Sequence, residues 1–162
     1  MSKRISLVVV CILLTHTTVA AVAKGLINVR NEQKYGKQID DQEDKYLSIL
    51  RQAKVLATGT VGEGQMPVEY RAFLKAAARA AKDRDALLEI AGQGSPAGKI
   101  YAITLLYSVD HDLALQKLKE LADSKEKVSF RSGCETIEVT TGNIAASLLK
   151  SGKYCDWTLG AK

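Results

Sequence analysis

From Ser95 the chain reads Ser-Pro-Ala-Gly-Lys-Ile-Tyr-Ala-Ile-Thr-Leu-Leu-Tyr-Ser-Val, and no other stretch constrains the fold as much. The serine can accept hydrogen bonds from the free N–H groups of a first helical turn, and a proline at the first helical position gives up a donor that has no partner there. The helix that follows is apolar nearly all round, so no side of it can be left in water. It is expected at the centre of a helical domain, with neighbours on every side. Gly92 and Gly94 close the helix before it.

The flanking sequence supplies those neighbours. Tyr46, Ile49, Leu50, Ala53, Leu56 and Ala57 share one helical stripe, opened by Asp40 or Asp41 and closed by Gly59. Residues 58–67, with three glycines and a proline, read as a flexible connection. A second helix is predicted over Val68–Lys82, with Tyr70, Phe73, Leu74, Ala77, Ala80 and Ala81 inward. A third follows Asp83 and runs from Arg84 to Ala91. Asp110 caps a fifth helix over 111–123. Val128–Phe130 and Thr136–Thr140 alternate apolar with polar around a Ser132-Gly133 turn and predict a hairpin. Thr140 or Thr141 opens a sixth helix over 142–150, ended by Gly152. The expected fold is mainly α: a compact bundle or short HEAT-like array of about six helices, with one small β-hairpin near the C-terminus.

The N-terminus has a different character. Residues 1–4 are basic, Ile5–Leu14 is apolar apart from Ser6, and Thr15–Ala23 turns small and weakly polar. This is the layout of a secretory signal peptide, with cleavage expected near Ala23. An uncleaved anchor is the competing reading, which His16 and the threonines oppose. Cys11 follows Val10, where lipid attachment favours a small residue. The organisation is then a signal peptide over 1–23, an extended or partly disordered arm over 24–41, and a single helical domain over 42–162. The protein is expected to be exported, periplasmic or secreted.

Removal of residues 1–23 takes Lys3 and Arg4 out of 23 Lys+Arg against 18 Asp+Glu, so the formal charge falls from +5 to +3 over 139 residues. That mild excess argues against a dedicated nucleic-acid binder. The same cleavage removes Cys11 and leaves Cys134 and Cys155. Two cysteines in an exported chain predict one disulfide, closing a loop of about twenty residues and worth about 3 kcal/mol in the chain-entropy account. The absence of a Cys-x-x-Cys spacing argues against a metal pair.

Catalytic signatures are weak. Gly98-Lys99 imitates the end of a phosphate loop, but Gln93 stands where the first glycine is required and Ile100 where Ser or Thr is required. Neither a nucleotide nor another cofactor is therefore expected. Ser108, Asp110, His111 and Asp112 sit too close in sequence to converge as a hydrolytic triad, and they read as turn and capping residues. A lone histidine offers no metal site. A carboxylate pair is a spatial fact that spacing does not select, and Glu63 in the glycine-rich loop is one candidate. Arg71, Lys75, Arg79 and Lys82 recur at helical spacing and form the candidate interaction surface, suited to an acidic protein or an anionic envelope surface.

Asp85–Ala91, the Gly-Ser-Pro step, Tyr101-Ala102 with Leu105-Leu106, and Asp112–Leu115 with Leu118 and Leu121 resemble the alternating short helices of HEAT-like repeats. The resemblance spans about 40 residues and implies protein binding rather than catalysis. The whole layout looks like that of small helical immunity proteins that neutralise secreted toxins. The expected role is a non-enzymatic interaction module of the cell envelope with a protein partner. The competing classes are a small envelope hydrolase using two carboxylates and a structural envelope component.

Overall fold

The computed structural model describes residues 45–59 and 64–160. The signal segment 1–23, the 24–41 arm and Glu63 lie outside the described residues. In chain order the elements are α1 (45–51), β1 (Val55–Thr58), α2 (Val68–Ala77), α3 (Arg84–Gln93), α4 (Pro96–Tyr107) and α5 (His111–Leu121). There follow β2 (Lys127–Ser132), β3 (Glu135–Thr140), α6 (Thr141–Ser151), β4 (Lys153–Tyr154) and β5 (Trp157–Thr158). The fold is mainly α with small sheets, as the patterning predicts.

The apolar helix takes the central place. α4 packs against α2, α3, α5, α6, β1 and β2, and Ile100, Tyr101, Ala102, Ile103 and Leu106 are fully buried around its circumference. Its start is built as expected: Ser95 Oγ accepts the Gly98 N–H (3.1 Å) and Pro96 occupies the first turn. Asp110 caps α5 through the Leu113 N–H (3.2 Å), and Thr140 caps α6 through the Asn143 N–H (3.2 Å). Gly152 closes α6 at φ +70°, a left-handed position that glycine adopts without strain.

Two expectations on the first half of the domain are corrected. The first helix ends at 51 rather than running to Ala57. Ser95 takes the carbonyls that the next turn would need: its N–H donates to Arg51 O (2.8 Å) and its hydroxyl to Ala53 O (2.6 Å). Freed from the helix, Val55–Thr58 pairs in parallel with Ser129–Ser132. The expected hairpin, β2 antiparallel to β3, is therefore part of a three-stranded sheet of order β1-β2-β3. α4 covers the β1 edge, where the Tyr101 hydroxyl accepts the Ala57 N–H (2.9 Å).

The second helix stops at Ala77, and residues 78–83 continue as turns in which the Arg79 N–H donates to Ala76 O and the Lys82 N–H to Arg79 O. Its buried side is Ala72, Phe73 and Ala76. Leu74, expected inward, is 42% exposed.

The small β4–β5 hairpin gives no period in sequence because each strand has only two residues. What fixes it is Trp157. The indole is buried against Phe73 (ring centroids 5.1 Å) and Tyr101 (5.3 Å), and its N–H donates to Thr104 Oγ1 (3.0 Å).

Candidate interaction surface

The four basic residues of the predicted stripe separate into two groups. Arg71 and Lys75 lie on the exposed side of α2. Arg79 and Lys82 lie beyond its end, in the turns, so the four do not belong to one continuous helix. Lys82 is exposed. Arg79 is half-buried and turns toward Asp83, with Nε 3.8 Å from Oδ2.

Asp83 is the centre of that buried polar contact. It also accepts a 2.5 Å hydrogen bond from the Tyr46 hydroxyl, and burial, then the neighbouring carboxylate, pushes the Tyr46 hydroxyl up to about 12. Asp83, Tyr46 and Arg79 thus join α1 to the turn that precedes α3. Their role is to hold elements together, and Arg79 leaves the candidate surface for that reason.

What replaces it is apolar. Val68 is 48% exposed and Leu74 42% exposed. Val68, Arg71, Leu74 and Lys75 fall at i, i+3, i+6 and i+7, which places them on one side of a helix. The outer side of α2 therefore alternates bulky apolar and cationic groups. Sequence reasoning placed Leu74 in the core because alanines at 72, 76, 77, 78, 80 and 81 let several rotations of the helix look equally apolar. The available signal was that Leu74 stands three residues from Arg71 and next to Lys75.

The other candidates serve the fold. Ser108 Oγ donates to Leu105 O (2.8 Å), Asp110 holds Arg84 (2.6 Å) besides capping α5, and the exposed His111 lies against Tyr107 (ring centroids 4.2 Å). Lys99 reaches Glu126 (2.8 Å) rather than the helix start where an anion would sit. Glu89, Asp110 and Glu120 are held below the usual carboxylate range, chiefly by hydrogen bonds from Arg51, Arg84 and Lys117 respectively. A general acid needs its pKa moved the other way. Among the described residues no group of three or more His, Cys, Asp or Glu is placed to hold a metal ion, and no helix is long and apolar enough to cross a membrane.

The disulfide expectation is also corrected. Cys134 and Cys155 are separate, exposed thiols. They occupy the turns of two different hairpins, β2–β3 and β4–β5, and the contact between those hairpins is made by their neighbours. Ser132 Oγ donates to the Asp156 carboxylate (2.5 Å), and the Phe130 and Tyr154 rings meet edge-on at 5.1 Å.

Comparison with protein-family models, with curated proteins and with solved structures finds no match to this chain.

Proposed function

We propose that the protein is an exported, non-enzymatic interaction module of the cell envelope that binds an acidic protein partner through the outer side of α2, in the manner of an inhibitor or immunity protein. One observation carries the reading: of the four exposed large hydrophobic residues among the described residues, Val68 (48%), Leu74 (42%), Ile137 (45%) and Val109 (36%), the first two stand together on α2 among Arg71 and Lys75. Bulky apolar groups left in water and rimmed by charge mark association surfaces. On binding, the two apolar side chains supply the buried centre, while the cations steer an acidic partner and fix its register. The HEAT-like layout read from residues 83–123 supports the same role, and the signal-peptide layout of residues 1–23 supports export.

Two measurements test this. Cell fractionation with N-terminal sequencing should find the processed chain outside the cytoplasm, beginning at Lys24; an unprocessed cytoplasmic chain refutes export. Affinity capture from envelope extract should recover one stoichiometric acidic protein with the wild type. The Arg71→Glu, Leu74→Ser, Lys75→Glu triple variant should lose that partner while keeping its thermal stability. Equal capture by both proteins refutes the α2 surface.

A further inference from the structure

We propose that Cys134 and Cys155 form a reversible redox pair, a latch between the two hairpins that closes by thiol–disulfide exchange with a small-molecule disulfide of the glutathione type. Three features place the pair. Each cysteine stands in a two-residue connection between paired strands, Gly133-Cys134 between β2 and β3, and Cys155-Asp156 between β4 and β5. The two hairpins are already in contact beside them, through Ser132 to Asp156 and Phe130 to Tyr154. Both thiols are exposed, so an exchanging disulfide can reach either one.

Both tips carry left-handed backbone. Gly133 has φ +56° and Cys155 φ +49°. A non-glycine residue in the left-handed region is strained, and a turn tip is the part of a hairpin freest to relax that strain. A disulfide needs its Cα atoms within about 7 Å, so the tips must approach each other about the contact that Ser132, two residues before Cys134, already makes with Asp156, next to Cys155. A bond formed this way, exposed and not built into the resting geometry, belongs to the readily reduced class rather than to the permanent structural class.

The exchange balances. One protein thiolate attacks a sulfur of the oxidised tripeptide, forming a protein–glutathione mixed disulfide and releasing one glutathione thiol. The second protein thiolate then attacks the protein sulfur of that mixed disulfide, forming the Cys134–Cys155 bond and releasing the second glutathione. The protein is oxidised by two electrons, one glutathione disulfide is reduced to two thiols, and the two protein protons end on those thiols.

The consequence falls on Trp157. β5 follows Cys155 by one residue, and its tryptophan fills the space between Phe73 and Tyr101. Closing the latch ties that hairpin covalently to β2–β3 and so holds the indole in the core.

The test uses the full chain with Cys11→Ser, equilibrated in glutathione redox buffers of rising oxidised fraction, quenched, and measured by intact mass and non-reducing tryptic mapping. The expected product is lighter by two hydrogens, with the peptides 132–150 and 154–162 recovered as one cross-linked species that separates on reduction. Cys134→Ser and Cys155→Ser should each abolish the cross-link and carry a single glutathione adduct. Since Trp157 is the one tryptophan in the sequence, its fluorescence should report unfolding at higher denaturant in the oxidised than in the reduced protein. Two persistent glutathione adducts with no linked peptide, or linked peptides with an unchanged tryptophan midpoint, overturn the latch.

Discussion

At the scale of single residues, several polar side chains carry two contacts each, and removing one contact while keeping the other is informative. Asp110 is an example: it caps α5 and holds the Arg84 guanidinium at 2.6 Å. Asparagine caps a helix about as well as aspartate, so Asp110→Asn keeps the cap and removes the charge from the pair. The pH dependence follows from the direction of the shift. The Arg84 hydrogen bond holds the Asp110 carboxyl below its ordinary value in the folded protein. The unfolded chain therefore takes up a proton first as the pH drops, and the stabilisation present above the ordinary aspartate range is lost as the pH falls through the folded value. Glu89, lowered by Arg51, has the same sign. The expected outcome is a lower melting temperature for Asp110→Asn near neutral pH and a gap to the wild type that closes at strongly acidic pH, where wild-type Asp110 is neutral too. A gap that stays constant across that range would assign the pair no role in stability.

At the scale of elements, helix packing is set by how closely backbones approach, and two glycines make the point in opposite directions. A Cβ on Gly98 would stand 2.3 Å from Leu50 O and 3.3 Å from Arg51 O, both backbone atoms that cannot swing aside. A Cβ on Gly92, in the last turns of α3, meets nothing within 4 Å. Alanine is favoured over glycine in a helix by about 1 kcal/mol. Gly92→Ala is therefore expected to stabilise by about 0.5 kcal/mol, and Gly98→Ala to destabilise by roughly 3 kcal/mol because the start of α4 must leave the end of α1. Urea midpoints of the two variants check the opposite signs. The same junction explains what was legible in the sequence and what was not. Ser95, Asp110 and Thr140 announce their helices because a cap is a local device, written within a few residues of the turn it serves. β1 is hidden because Leu56 and Ala57 fit the helical stripe of Tyr46 and Leu50, while the facts that decide against a helix lie far off: Ser95 taking the Arg51 and Ala53 carbonyls, and β2 pairing in parallel. The candidate surface was half legible for a related reason. Arg71 and Lys75 read correctly as exposed, whereas the direction of Leu74 depends on which of many alanines is buried, and alanines carry little directional signal.

At the scale of the whole molecule, one helix touches most elements of the described domain, and that predicts how the domain comes apart. α4 touches α2 and α6 on its flanks, carries the Tyr101 hydroxyl that receives the β1 edge, and presents Thr104 to the last hairpin. Phe73, Tyr101 and Trp157 bring α2, α4 and β5 to one aromatic cluster, with centroids 5.1 to 5.4 Å apart. Thr104 is its polar hinge, since its hydroxyl donates to Ile100 O (2.9 Å) and accepts the indole N–H (3.0 Å). Thr104→Val keeps the shape but leaves a buried donor without an acceptor, at a cost of about 1 to 3 kcal/mol; Thr104→Ser keeps the acceptor and should recover most of that stability. Because the hairpin is bonded to the central helix rather than to a peripheral one, the loss should be felt by the entire domain. Far-UV circular dichroism, which reports the helices, and Trp157 fluorescence, which reports the hairpin, should give coincident denaturant transitions in the wild type and should shift together in Thr104→Val. If the fluorescence transition moved to lower denaturant alone, the C-terminal hairpin would be a separately opening unit, and α4 would be the centre of the helices but not of the whole fold.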